Sequence, residues 1–312
     1  MENEEVRLSF PGSQIRLATP SSRMSLYFDE TQSHTDSAFD FQVNDGDWRT
    51  HYIDGRSQLN LSSSKTGEGI EVRLIRRSEA WQGDIIFTGA SAEGGFVKSL
   101  PLPKTKLLFI GDSITAGAGT ESRLNEAGEW VAVSNARVAY PRVLGNRLDA
   151  QVHQIAYGGR GVTRDWQGIT ETNNAPQFYD RVLPDQATPI WNPQDYQADI
   201  VSIMLGTNDF NPGIPERESW TEAYRTFVAR VRTDYPRAQV FLISSPMTDG
   251  EKGEALKDYV RSVAESFKTP QVRYIEVDKY YGEAWDSHPT AAEHQKIADE
   301  LEPFFKASLS GQ

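Results

Sequence analysis

The 312-residue chain contains no cysteine. Disulfides, thiolate metal sites and a cysteine nucleophile are therefore excluded, and the redox state of the compartment leaves no mark on the sequence. No run of about eighteen apolar residues occurs, the length a membrane-crossing helix needs, so no membrane partner is expected. Basic residues are in deficit: 32 Lys and Arg stand against 44 Asp and Glu, a formal net charge of −12. Phosphate binding requires a cationic footprint, so nucleic acid is not expected as a partner either. The opening MENEEVRLSF has no basic stretch followed by an apolar one. No signal peptide is expected there, although the mature chain of a secreted protein would begin the same way.

The length accommodates two domains with cores of their own. The pattern changes at Pro101-Leu102-Pro103. Before it, short alternating segments recur at Arg7–Phe10, Ser25–Phe28, Phe39–Val43, Ile70–Ile75 and Ile85–Phe87, parted by turns such as Asn44-Asp45-Gly46 and Asp54-Gly55. Period-two runs with polar turns and no helical stripe read as a β-sandwich over residues 1–103. After it, strands are expected at Leu107–Ile110, Val152–Ala156, Ile200–Leu205, Val240–Ile243 and Val272–Val277, with helices between them. Ser219-Trp220-Thr221-Glu222 has the form of a capping box opening a helix with apolar Tyr224, Phe227, Val228 and Val231. Leu256, Val260, Val263 and Phe267 form a second stripe, and Thr290-Ala291-Ala292-Glu293 opens a third helix through Ile297, Leu301 and Phe304. Alternating strands and helices predict an α/β domain over 104–312, with a parallel sheet covered on both faces.

Sites in open α/β sheets form at the carboxyl ends of the strands. Ser113 follows the first strand, Gly158-Gly159-Arg160-Gly161 the second, and Gly206-Thr207-Asn208-Asp209 the third. His288 follows the fifth, just before the Thr290 cap, so four loops should share one edge. A lone serine there would read as a helix N-cap. Together these residues can supply the parts of acyl transfer. Ser113 can act as nucleophile, His288 as its base and Asp286 as the group that orients the imidazole. The N–H groups of Ser113 and Gly161, with the Asn208 amide, can receive an oxyanion. Asp112 and Asp209 read as structural. His34, His51, His153 and His294 read as surface or core residues. His288 and His294 lie six apart across a helix start and share no face, so no metal is expected, and no cofactor.

Ser113 does not sit in the nucleophile elbow G-x-S-x-G, because Thr115 occupies the position of its last glycine. Gly-Asp-Ser-Ile-Thr instead resembles block I of the SGNH (GDSL) hydrolases. Tyr157–Gly161 resembles their block II glycine region, Gly206–Asp209 their block III with its oxyanion asparagine, and Asp286-Ser287-His288-Pro289 their last block. A small β domain leading into this series resembles the family-two carbohydrate esterases, a branch with acetylxylan esterases. The resemblance implies a jelly-roll β-sandwich before a flavodoxin-like SGNH hydrolase domain. It also implies a secreted or periplasmic enzyme that removes O-acetyl groups from polysaccharides such as xylan or mannan, including the primary 6-position of hexoses.

One departure is visible. The superfamily has D-x-x-H, whereas Trp285 stands three residues before His288 and Asp286 two. Either Asp286 orients the ring, or a backbone carbonyl such as that of Trp285 does so in a Ser–His dyad. Trp166, Trp191 and Phe210 follow the second and third loops and are candidates for a sugar or acyl pocket, since flat apolar faces suit pyranose rings, or for core and lid packing; Trp166, a few residues beyond Gly161, is preferred. Arg160 braces the hole or anchors its loop. Two rival readings remain: a carbohydrate-binding protein with an inactive SGNH site, and an esterase or thioesterase for other acyl chains. Oligomeric state leaves no sign in the sequence.

Overall fold

The computed structural model describes residues 5–31, 37–63, 67–122, 133–284 and 287–311. His34, Trp285 and Asp286 lie outside the described residues. Among the described residues nine strands come before residue 100: β1 (Val6–Leu8), β2 (Gln14–Thr19), β3 (Arg23–Glu30), β4 (Ala38–Val43), β5 (Arg49–Tyr52), β6 (Ser57–Ser62), β7 (Ile70–Arg76), β8 (Ile85–Ala92) and β9 (Lys98–Ser99). They form two sheets, ordered β1-β8-β3-β6 and β5-β4-β7-β2-β9, with antiparallel pairing throughout. Alternation explains the sandwich. Met24, Leu26 and Phe28 of β3, Leu59 and Leu61 of β6, and Ile70, Val72 and Leu74 of β7 all turn into one shared core. Phe28 meets Phe39 of the facing sheet with ring centroids 5.3 Å apart.

The second part is the expected α/β fold. Its parallel sheet comprises β10 (Thr105–Gly111), β11 (Ala150–Ala156), β12 (Ile200–Met204), β13 (Gln239–Ile243) and β14 (Val272–Ile275). The order is β11-β10-β12-β13-β14, the flavodoxin-like 2-1-3-4-5 arrangement. Alternate residues of β10 face opposite layers. Leu108 and Ile110 join one core with α5 (Arg217–Asp234) and α6 (Gly250–Ser266). Leu107 and Phe109 join another with α2 (Tyr140–Arg147) and α7 (Ala291–Ser310). Among the described residues there are three shorter helices, α1 (Ser113–Ala116), α3 (Ala175–Phe178) and α4 (Thr207–Phe210). Among the described residues no helix is long and apolar enough to cross a membrane.

Several element boundaries differ from the sequence reading, among them the start of α5 and the end of β14. Helix α5 begins at Arg217, before Ser219, because the Glu216 carboxylate accepts the N–H groups of Glu218 at 3.0 Å and Ser219 at 2.7 Å. Ser219 Oγ instead donates back to the Glu216 carbonyl. Strand β14 stops at Ile275, so Val277, though buried, lies in the following loop. The Thr290 box does form, with the Glu293 carboxylate accepting the Thr290 N–H at 2.8 Å and Thr290 Oγ1 accepting from Glu293 N–H.

A buried polar seam joins sandwich to sheet. Asp40 of β4 pairs with Arg77 at 3.2 Å and Arg137 at 2.5 Å, and accepts from Asn135 Nδ2 at 2.8 Å. Arg77 also donates to the Ser134 carbonyl and pairs with Glu121.

Candidate active site

Ser113 owes its position to the end of β10. The strand stops at Gly111, and Asp112 caps the next turn by accepting the Ile114 N–H at 3.0 Å. Ser113 is therefore the first residue of the four-residue helix α1, which Gly117 closes in the left-handed conformation at φ 91°. Strand β10 pairs with both β11 and β12, so the loops after those strands flank Ser113 at the switch point of the sheet.

His288 Nε2 lies 2.7 Å from Ser113 Oγ, and both residues are buried. An imidazole with an unprotonated Nε2 accepts the serine proton at this distance. The histidine loop is tied to α7 through Glu293, which is 1% exposed. Its carboxylate accepts the N–H groups of Gly282 at 3.0 Å, Glu283 at 3.1 Å and Thr290 at 2.8 Å. His288 lies between these anchors, and its carbonyl accepts the Ala284 N–H at 3.0 Å.

The glycine run after β11 is shaped by close approach. A Cβ on Gly158 would fall 2.3 Å from the Glu79 carboxylate, and one on Gly161 would fall 2.2 Å from that of Asp209. Asp209 is fully buried, yet it accepts N–H groups from Val162 and Thr163 at 2.8 Å each and the Thr163 hydroxyl at 2.7 Å. Burial pushes its pKa up, and those donors oppose the rise. Asn208, beside it, turns its Nδ2 to the Arg160 carbonyl at 3.0 Å and stands 3.4 Å from the Asp112 carboxylate. Asp112 is also fully buried. Desolvation raises it to about 6, against the pull of the Ile114 N–H and of the nearby His288.

These residues open on a cleft of about 780 Å³, lined among others by Ser113, Gly158, Arg160, Trp166, Asn208 and His288. Gly161 is one residue beyond the lining stretch and packs under Asp209. Trp166 is 53% exposed. Its backbone is held on both sides, the N–H donating to the Gly159 carbonyl and the carbonyl accepting from Asn211 Nδ2. Arg160 stacks over the Tyr157 ring at 5.1 Å and pairs with Asp165 at 3.6 Å.

Phe210 does not reach the cleft. It is fully buried and meets Trp220 and Tyr259 edge-on at 5.4 Å each, because the turn of α4 directs Asn208 outward and Phe210 into the core. Trp191 is likewise away from the cleft, against His153 and Tyr235. Burial pushes His294 down to about 3, and its Nδ1 accepts the Tyr140 N–H as a core residue. Asp286 falls outside the described residues. Glu79 and Trp81 also line the cleft, though they belong to the sandwich and no local pattern marks them for it.

Comparison with known proteins matches the chain in two stretches. Residues 109–296 match the GDSL-like Lipase/Acylhydrolase family, and residues 1–103 match a domain described as Carbohydrate esterase 2 N-terminal. An acetylxylan esterase / glucomannan deacetylase of Cellvibrio japonicus is 30% identical over 307 residues, covering 96% of this chain and 85% of the relative. A solved family two carbohydrate esterase from Cellvibrio japonicus superposes with a TM-score of 0.93 at 27% identity, over 99% of this chain and 92% of the other. One from Clostridium thermocellum, in complex with cellohexaose, gives 0.90 at 25% identity, over 97% and 94%.

Proposed function

Because the chain belongs to the GDSL-like lipase/acylhydrolase family and is a carboxylic ester hydrolase of the carbohydrate-esterase type, we propose that it removes O-acetyl groups from a polysaccharide through an acyl-enzyme on Ser113. Acetylated xylan or glucomannan is the substrate class, with the primary 6-hydroxyl of hexoses among the positions served. The observation that carries this reading is the 2.7 Å contact between His288 Nε2 and Ser113 Oγ on the floor of an open cleft.

In the proposed sequence, His288 takes the Ser113 proton as Oγ attacks the acetyl carbonyl carbon. The carbonyl oxygen becomes an oxyanion, received by the N–H groups of Ser113 and Gly161 and by the Asn208 amide. Asn208 Nδ2 is held by its bond to the Arg160 carbonyl, and its second N–H exchanges the long 3.4 Å contact with Asp112 for the oxyanion. The tetrahedral intermediate collapses, and His288 returns the proton to the departing sugar oxygen. Water then attacks the acetyl-serine with His288 again as base, releasing acetate and restoring Ser113. Trp166 offers its indole face to the sugar ring, and Arg160 braces the loop beneath it. Asp286 is assigned to orient the imidazole.

Ser113→Ala should abolish p-nitrophenyl acetate hydrolysis while the circular dichroism spectrum stays native; retained turnover overturns the assignment. Asp286→Ala should lower kcat by about 10³-fold or more. A nearly unchanged kcat instead assigns the imidazole to a backbone carbonyl. NMR of acetylated xylan and glucomannan during digestion identifies the hydroxyl released.

A further inference from the structure

Between β7 and β8 the sandwich presents one 3₁₀ turn, Ala80–Gln82, to the catalytic cleft. The turn is fastened from several directions. Fully buried Arg76 donates through Nη2 to the carbonyls of Glu79 at 2.7 Å and Gly83 at 2.6 Å, and through Nε to that of Ser78. The Gln82 side-chain oxygen accepts the Glu79 N–H at 2.6 Å, and the Gln82 carbonyl accepts the Ser37 hydroxyl at 2.8 Å. On the catalytic side, Glu79 accepts from Ser134 Oγ at 3.2 Å and packs against Gly158, next to Ser113.

Ala80 and Gln82 are buried, whereas Trp81 between them is 42% exposed. A clamped backbone with one uncovered indole, in the same cleft as the nucleophile, is a preorganised flat apolar surface. Such a surface loses little freedom when a pyranose ring stacks on it. We propose that Trp81 is a platform for a sugar residue of the glycan other than the acetylated one, so that the N-terminal domain completes the substrate site and favours oligomeric substrates. This inference rests on the deacetylase reading above, in which Trp166 receives the acetylated unit.

The test compares Trp81→Ala, Trp81→Phe and the unaltered enzyme on p-nitrophenyl acetate, an acetylated hexose monosaccharide and acetylated glucomannan hexasaccharides. In Trp81→Ala the ratio of kcat/KM for hexasaccharide to that for monosaccharide should fall about tenfold, carried by KM. Trp81→Phe should keep that ratio within about threefold of the unaltered enzyme. An unchanged ratio in Trp81→Ala overturns the platform while the deacetylase reading stands. An equal loss on all three substrates also overturns it, as a purely structural effect. An unaltered enzyme active on p-nitrophenyl acetate but on neither sugar ester overturns the deacetylase reading, and the platform with it.

Discussion

The Asp209 carboxylate receives the backbone N–H of Thr163 at 2.8 Å, so the loop after β12 holds the loop after β11. The same carboxylate takes the Val162 N–H and the Thr163 hydroxyl. Asp209→Ala leaves the buried Val162 N–H and the half-buried Thr163 N–H without this acceptor, at about 1–3 kcal/mol for a buried donor. The expected result is a loss of about 3 kcal/mol in urea unfolding together with reduced kcat. Asp209→Asn keeps one acceptor oxygen and should fall between. An alanine variant as stable as the parent would contradict this account.

Glu293 should act on the reaction through His288. Its carboxylate fixes backbone on both sides of the histidine, at Gly282 and Glu283 and again at Thr290. Glu293→Ala should release that loop and lower kcat by roughly 10- to 100-fold, since a misplacement of about 1 Å has that effect on a reacting pair. KM for p-nitrophenyl acetate should move much less, and Glu293→Gln should recover part of the rate. A kcat equal to the parent's would show that the loop stands without this anchor.

Asp112 gives a pH-dependent stability with a definite sign. Its carboxyl rises from 3.8 to about 6 in the folded chain, chiefly through burial. Between those values the folded state binds more protons than the unfolded one, so this group makes stability fall as pH increases through the window. The shift corresponds to about 3 kcal/mol. Asp112→Asn still caps α1 and removes the titration. Thermal unfolding from pH 4 to 7 should therefore show the variant gaining on the parent as pH rises; parallel curves would refute the assignment.

The parallel sheet was legible because its strands are short apolar runs between amphipathic helices, and buried runs such as Ile200–Met204 tolerate no other reading in that context. The edges of the sandwich were harder. β5 is largely exposed and polar, β6 carries only two buried residues, Leu59 and Leu61, and β9 has two residues in all. In the site, Ser113, Asn208 and His288 stood out because each follows a strand end. Phe210 misled, since one turn of helix sends neighbouring side chains to opposite sides and sequence proximity to Asn208 does not fix which. Glu79 and Trp81 could not be found from sequence, because their relation to Ser113 depends on how two domains pack.

That packing depends on Asp40. Burial alone would raise its carboxyl, but Arg77, with Arg137 and Asn135, holds it below the usual carboxylate range. Its stabilising contribution is therefore fully present above the unfolded value of 3.8 and disappears as pH falls through the lower folded value. Arg77→Ala uncouples the pair and leaves Asp40 buried with fewer partners, at a cost of about 3 kcal/mol or more at pH 7. Because Arg77 also holds the Ser134 carbonyl, the segment beside Glu79 should loosen, and p-nitrophenyl acetate turnover should fall along with stability. The stability difference between variant and parent should shrink as the pH falls from the unfolded value through the parent's lower folded value, beneath which Asp40 is neutral in both. Urea unfolding at pH 7 and pH 3 measures it, and a difference that stays constant across that range would show that the seam does not rest on this charge.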